Sequence, residues 1–254
     1  LQAWIAVRSN LPGRKVFAVL AALPLAIPSY VAAYSWVAVV PGFSGFFAAW
    51  LLLTVGTAPL VYLSVSAALA RFDSATEEVA SSLGAGKFAV LRKITWPNIK
   101  GATFSGGLLS ALYVLSDFGA VSIVRYDTFT RAIYNAYRAS FDRNLAATLA
   151  LVLVAVTVLV LVVESRSRGK KQIGTVIANR LNRIDLRIWK FPLVALLAGI
   201  ASVSLVVPLA SLTRWSIIGL PETDWQEVLE ALFSSIYLSV SGGMLTAMLA
   251  VAVA

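Results

Sequence analysis

The chain has 254 residues, 59% of them hydrophobic and 13% charged, with a formal net charge of +9 and a mean hydropathy of +0.83. A soluble domain carries about 25% charged residues, so this composition belongs to a polytopic membrane protein. The basic excess is then a property of loops on one side of a bilayer and not of a nucleic-acid surface. Cysteine and histidine are absent, which excludes disulfides, thiolate chemistry, the usual zinc and haem ligands and any histidine-activated nucleophile.

In chain order, Leu1 to Val7 reads as the tail of a preceding span and is followed by Arg8, Arg14 and Lys15. The first full span is expected at Val16 to Ala38. Pro24 and Pro28, in LPLAIPSYVAAY, each remove a backbone bond and kink it. Either the kink serves packing, or the helix bends around a translocation path on which Tyr30 also lies. Val39 to Phe47 is an uncharged Pro-Gly turn. The second span, Ala48 to Ala70, contains Gly56 and Pro59. A polar loop follows and leads to a third span, Gly101 to Val124. Its Gly101, Ser105, Gly106, Gly107, Ser110 and Ala111 allow close helix approach. Near its far end stands Asp117, which is costly in a membrane unless solvated or paired. It is either an interfacial residue bonded to nearby backbone or to Arg125, or a residue lining an outward-facing path.

Arg125 to Arg143 is polar, with an interfacial helix expected at Thr130 to Arg138, where Tyr134 and Tyr137 suit a membrane boundary. The fourth span, Asn144 to Val163, is so uniformly apolar that it reads as lipid-facing. Glu164 to Lys190 is a basic connector, Phe191 to Leu212 a fifth span, and Thr213 to Glu230 an acidic loop. A sixth apolar run begins at Ala231 and is still running at Ala254. With no initiating methionine either, the sequence reads as an internal piece of a longer polypeptide.

The polar loop, Glu77 to Pro97, reads EEVASSLGAGKFAVLRKITWP. Ser74 three residues before Glu77 forms a capping box, and Glu77 and Glu78 suit the positive end of a helix. Val79, Ala80 and Leu83 share one face. Gly84 and Gly86 should break this helix, Phe88, Leu91 and Ile94 continue an apolar stripe on a second short helix, and Pro97 should end it. An apolar face outside the membrane must be covered, either by the chain's own bundle or by a partner protein. GAGK at Gly84 to Lys87 is not a phosphate loop, since Ser81 and Phe88 stand where that motif needs Gly and Ser or Thr.

The spacing of Glu78, Ala80, Gly84, Ile94 and Pro97 resembles the EAA loop of ABC importer permeases, with Val79 and Trp96 replacing an alanine and a leucine. LPLAIPSYVAAYSWV (Leu23 to Val37) and SDFGAVSIVRYDTFTRAIYNAY (Ser116 to Tyr137) resemble the iron(III)-type branch of binding-protein-dependent importers, which includes thiamine permeases. The resemblance implies an all-α polytopic transmembrane bundle of the type I ABC importer permease (MetI-like) fold. It implies a first permease half at 1–168 lacking its N-terminal helix or helices, a basic cytoplasmic connector at 169–190, and the start of a second half at 191–254. It also implies docking of the loop on a cytoplasmic ABC ATPase dimer that carries the ATP and magnesium, with no cofactor bound by this chain. A periplasmic or lipid-anchored substrate-binding protein would deliver substrate on the other side, across a bacterial inner membrane. The substrate read from this branch is iron(III), with thiamine, phosphonate or another small solute as alternatives. The chain itself would not be an enzyme.

The charge distribution agrees independently. With the Glu77 to Pro97 loop placed in the cytoplasm, sixteen of the 21 basic residues fall on that side and five on the other. An ion-coupled secondary transporter with broken helices, with Asp117 as its carrier, accounts for the prolines but not for the loop. A structural membrane protein would need neither.

Overall fold

The computed structural model describes residues 2–72, 75–167, 190–219 and 224–253, which form helices joined by short turns. The Ser74 cap, most of the basic connector and the tip of the acidic loop, including Gln172 and Glu222, lie outside these residues. Leu1–Ser211 and Leu212–Ala254 are two compact units.

The first unit opens with α1 (Gln2–Arg8), which buries Ala3 and Ile5. Gly13, at φ +73, turns the chain into α2 (Arg14–Ala22), a conformation that glycine adopts without steric penalty. A single 3-10 turn at Leu23–Ala26 follows, then extended Ile27, then α3 (Ser29–Val39). The two helices meet at 96°. The kink expected within one span is therefore a full break. Pro24 and Pro28 are one turn apart, so two successive turns each lose a donor, and the residue before Pro28 is driven out of the helical region. Ile27 duly sits at φ −90, ψ 117.

Helix α4 (Gly45–Arg71) carries Pro59 in its interior without breaking. The short helix α5 (Ala75–Ser82) follows. The next helix is continuous from Lys87 to Ser116: α6 (Lys87–Val90), a π turn at Leu91–Thr95, and α7 (Trp96–Ser116). Pro97 thus does not end a helix, contrary to the expectation above. It stands in the first turn after the π turn, where a missing N–H is tolerated. The same arrangement recurs where α11 (Lys190–Ala201) passes through a π turn at Ser202–Val206 into α12 (Val207–Gly219), with Pro208 just beyond it.

Helices α4 and α7 lie against each other with Gly106 at the contact. A methyl group on Gly106 would sit 2.7 Å from Val61 Cα and 3.0 Å from the Leu60 carbonyl. Ser110, one turn on, donates to the Thr57 carbonyl across the same contact at 3.2 Å. Of the small residues expected to allow close approach, these two do so, while Gly101 and Gly107 face open space.

The third span was expected to run on to Val124, but α7 stops at Ser116 and a short helix α8 (Gly119–Ile123) begins after Asp117. Ala33 of α3, Leu52 and Leu53 of α4, and Val121 and Val124 form one core cluster. A second joins Ala3 to Tyr62, Val65 and Leu69 of α4, and a third joins Ile5 and Leu11 to Leu197 of α11. Helix α9 (Phe129–Arg138) matches the expected interfacial helix within a residue, and α10 (Arg143–Ser167) is exposed along most of its length.

In the second unit the end of α12 and α13 (Trp225–Val253) extend helical structure into both ends of what was expected to be an acidic loop. No residue in the apolar window of α13 is buried.

Among the described residues, four helical runs are long and apolar enough to cross a membrane: Gly45–Arg71, Arg143–Val163, Lys190–Gly219 and Trp225–Val251. The bent pair α2–α3 would make a fifth. Helix α7 has the length, at 21 residues, but its polar WPNIK start and its many Gly and Ser residues lower its hydropathy.

Gly106→Ala should lower the thermal unfolding midpoint in detergent, because overpacking costs about 1–3 kcal/mol. Gly107→Ala should hold or raise it, since alanine is the better helix former by about 1 kcal/mol and nothing lies within 4 Å. Melting curves of both variants check this, and equal midpoints would contradict the close contact.

Candidate functional site

Helix α5 is short, and both its ends are defined by local chemistry. Glu77 and Glu78 occupy its first turn, where the helix dipole favours negative charge. At its other end Gly84 takes φ +85. Its N–H donates to the Ser81 carbonyl at 3.1 Å, and the Ala85 N–H donates to the Ala80 carbonyl at 3.0 Å. This pair of bonds is a Schellman closure, and the left-handed residue it requires is almost always glycine. Gly84 is thus needed by the backbone, while a side chain placed on it would meet nothing within 4 Å.

The two glutamates differ. Glu78 is on the exposed side of the turn. Glu77 reaches back into the bundle. Its Oε1 accepts from Thr95 Oγ1 at 2.5 Å and its Oε2 from the Arg8 guanidinium at 3.4 Å. Arg8, only 2% exposed, also donates to the Phe72 carbonyl at 3.1 Å, and its guanidinium lies 5.2 Å from the Phe72 ring centroid. The end of α1, the exit of α4, the first turn of α5 and the π turn before α7 therefore converge on one ion pair, Arg8–Glu77. Arg8 is the buried member, at 3% side-chain exposure against 21% for Glu77, so removing Glu77 would strand a buried charge, which costs about 3 kcal/mol or more.

Beyond this anchored first turn the element projects outward. Val79 is 59% exposed, Leu83 83% and Phe88 73%. Of the five motif residues, Glu78, Ala80 and Gly84 lie on or just after α5, and Ile94 and Pro97 lie half-buried at the root of α7. The sequence reading missed Arg8 and Thr95. The only available signal was a lone arginine closing an apolar helix, QAWIAVR, and nothing in the sequence pairs it with a residue 69 positions away.

The second site lies at the break between α2 and α3. Pro24 lines a cleft there with Ile27, Gly56, Tyr113, Ala120 and Ser204. Pro28 and Tyr30 are exposed and do not line it. Tyr30 instead abuts Gly119, where an added methyl would come 2.8 Å from the tyrosine Cβ. Asp117 is buried and does not line the cleft either. Its Oδ1 accepts from the Ala120 N–H at 3.0 Å, capping α8, and its carbonyl accepts from Thr130 Oγ1 at 2.7 Å. Its partners are thus nearby backbone and Thr130, with no bond to Arg125. Arg125 itself sits in a left-handed conformation, φ +56.

The family described as the binding-protein-dependent transport system inner membrane component matches residues 3–166. The chain is similar to the Fe(3+)-transport system permease protein FbpB 2 of Haemophilus influenzae, 34% identical over 255 residues, covering 98% of this chain and 50% of that protein. It is similar to the sulfate transport system permease protein CysT of Salmonella typhimurium, 34% identical over 139 residues, covering 49% of this chain and 50% of that one. It is also similar to the sulfate transport system permease protein CysW of Synechocystis, 26% identical over 196 residues, covering 67% and 71%. The chain spans about half the length of the first two relatives. With a family match over 3–166, a helical bundle with several apolar spans and an α5 loop that carries the motif outside them, the chain belongs to the inner-membrane permeases of binding-protein-dependent, ABC-type import systems.

Proposed function

We propose that this chain forms part of the translocation path of an ATP-driven importer and is coupled to a separate cytoplasmic ATPase through Glu77 to Pro97. One observation carries the reading. The loop's apolar residues Val79, Leu83 and Phe88 are exposed while its first turn is fastened to the bundle. An apolar face in water calls for a partner, and packing on the chain's own bundle leaves these three side chains uncovered. The ATPase would carry the ATP and magnesium, and a periplasmic or lipid-anchored binding protein would deliver substrate on the opposite side.

The substrate we assign is iron(III), on the likeness to the Fe(3+)-transport relative over nearly the whole chain. No group of three or more carboxylates gathers into a cation site among the described residues, so this assignment rests on the relative alone. The sulfate permeases among the relatives support a second reading, a small oxyanion. Two permease halves in one chain, joined by 169–190, fit the chain's span of half the iron permease. Helix α11, which would open the second half, rests on α1 through Leu197 and Ile5.

Leu83→Asp is expected to leave membrane abundance unchanged and to abolish co-purification of the ATPase and uptake, because an unpaired charge at a buried contact costs several kcal/mol. Undiminished ATPase recovery would refute docking at this face. Gly84→Ala should weaken assembly through the backbone, at about 1 kcal/mol for a left-handed alanine, and Gly84→Asn should weaken it less. Pull-down at matched expression measures all three.

Orientation is tested separately in this cysteine-free chain. A single cysteine at Ser82 should resist impermeant thiol reagents in intact cells, and one at Asp127 should react. Uptake assays with radiolabelled iron(III) and sulfate, each in competition with the other, distinguish the two substrates.

A further inference from the structure

Glu77 stands one residue before the glutamate of the recognised motif, and its carboxylate is turned away from the docking face. It holds three parts of the bundle at once: Arg8 at the end of α1, Thr95 in the π turn that leads into α7 and, through Arg8, the Phe72 carbonyl where α4 ends. Arg8 and Thr95 are 2% and 3% exposed. Leu83, just past the far end of α5, is 83% exposed. A helix fixed at one end by a 2.5 Å hydroxyl–carboxylate bond and a 3.4 Å ion pair, and exposed at the other, passes displacement of its exposed end to whatever its fixed end grips.

We infer that Glu77 is the positioning residue through which movement of the docked ATPase is handed to α1 and α7, with Arg8 and Thr95 as its receivers. Docking and transmission are then separate tasks of one loop: Val79 on α5, Leu83 just after it and Phe88 on α6 contact the partner, and Glu77 holds the lever. The inference rests on the docking reading above.

The test uses the full-length chain with its ATPase and binding protein reconstituted in vesicles. Three quantities are read at matched permease level: ATPase recovered on the permease, the ratio of ATP hydrolysis with and without loaded binding protein, and uptake of radiolabelled iron(III). Glu77→Gln keeps an acceptor for Thr95 but removes the charge that faces Arg8. It should retain ATPase recovery within about two-fold of wild type, while the hydrolysis ratio falls to near one and uptake falls about ten-fold or more. Arg8→Met should do the same, Arg8→Lys should recover most of the ratio, and the Glu77→Gln, Arg8→Met double variant should be no worse than either alone. Thr95→Val removes a single hydroxyl, leaves no charge stranded and should lower the ratio in the same direction. It decides the matter if the Arg8 variants do not fold.

A normal ratio and normal uptake in Glu77→Gln and Thr95→Val would overturn the inference. So would a loss of uptake that merely follows lost ATPase recovery, which would make Glu77 a docking or folding residue. Failure of the docking reading shows elsewhere, as full ATPase recovery with Leu83→Asp.

Discussion

A guanidinium sealed from water must be paired, and in this chain that requirement joins residues 69 positions apart. Arg8 ends α1 inside the bundle, and the carboxylate that answers it is on the first turn of α5. Meeting it fixes where α4 must end, since Phe72 supplies both a carbonyl and a ring to the same guanidinium. It also fixes how the next helix must start, since Thr95 completes the carboxylate's shell. The polar loop owes its position to this node. Val90 is buried and Ile94 half-buried, while Val79, Leu83 and Phe88 are exposed.

Much of the architecture was legible because it follows from composition and spacing. The uniform Leu, Val, Ala and Thr of α10 announced an exposed apolar helix, and Gly84 announced a helix end. What was not legible depends on partners distant in sequence or on how neighbouring turns share a defect. Pro24 and Pro28 were each read as a kink, but two donors lost in successive turns remove the ladder between them, and the chain turns by 96°. Pro97 was read as a stop, but a π turn before it lets the helix continue. Asp117 does stand at the end of a span, as read, and bonds nearby backbone; that its partner is the Ala120 N–H in the first turn of a separate short helix is visible only in the fold.

The two sites differ in how much of their purpose their residues disclose. The Glu77 to Pro97 loop presents a chemically definite surface, the exposed apolar side chains Val79, Leu83 and Phe88 on and just beyond an anchored helix. The cleft beside Pro24 is lined mainly by aliphatic and aromatic groups with a few hydroxyls, and no charged side chain among them defines what it holds. That permeases named for a ferric cation and for an oxyanion share this family accords with the general finding that a fold constrains machinery more than cargo.

The uninterrupted helix from Lys87 to Ser116 has a mechanical meaning. Thr95, held on Glu77, divides it into a short arm that carries Phe88 and a long arm that carries Gly106 and ends beside Asp117. At about 1.5 Å per residue, the short arm is about 12 Å and the long arm about 30 Å. A helix pivoting at Thr95 would multiply a shift of 1 Å at Phe88 to more than 2 Å at the far end of α7. The tight seat of Gly106 on Val61 would carry α4 along with it.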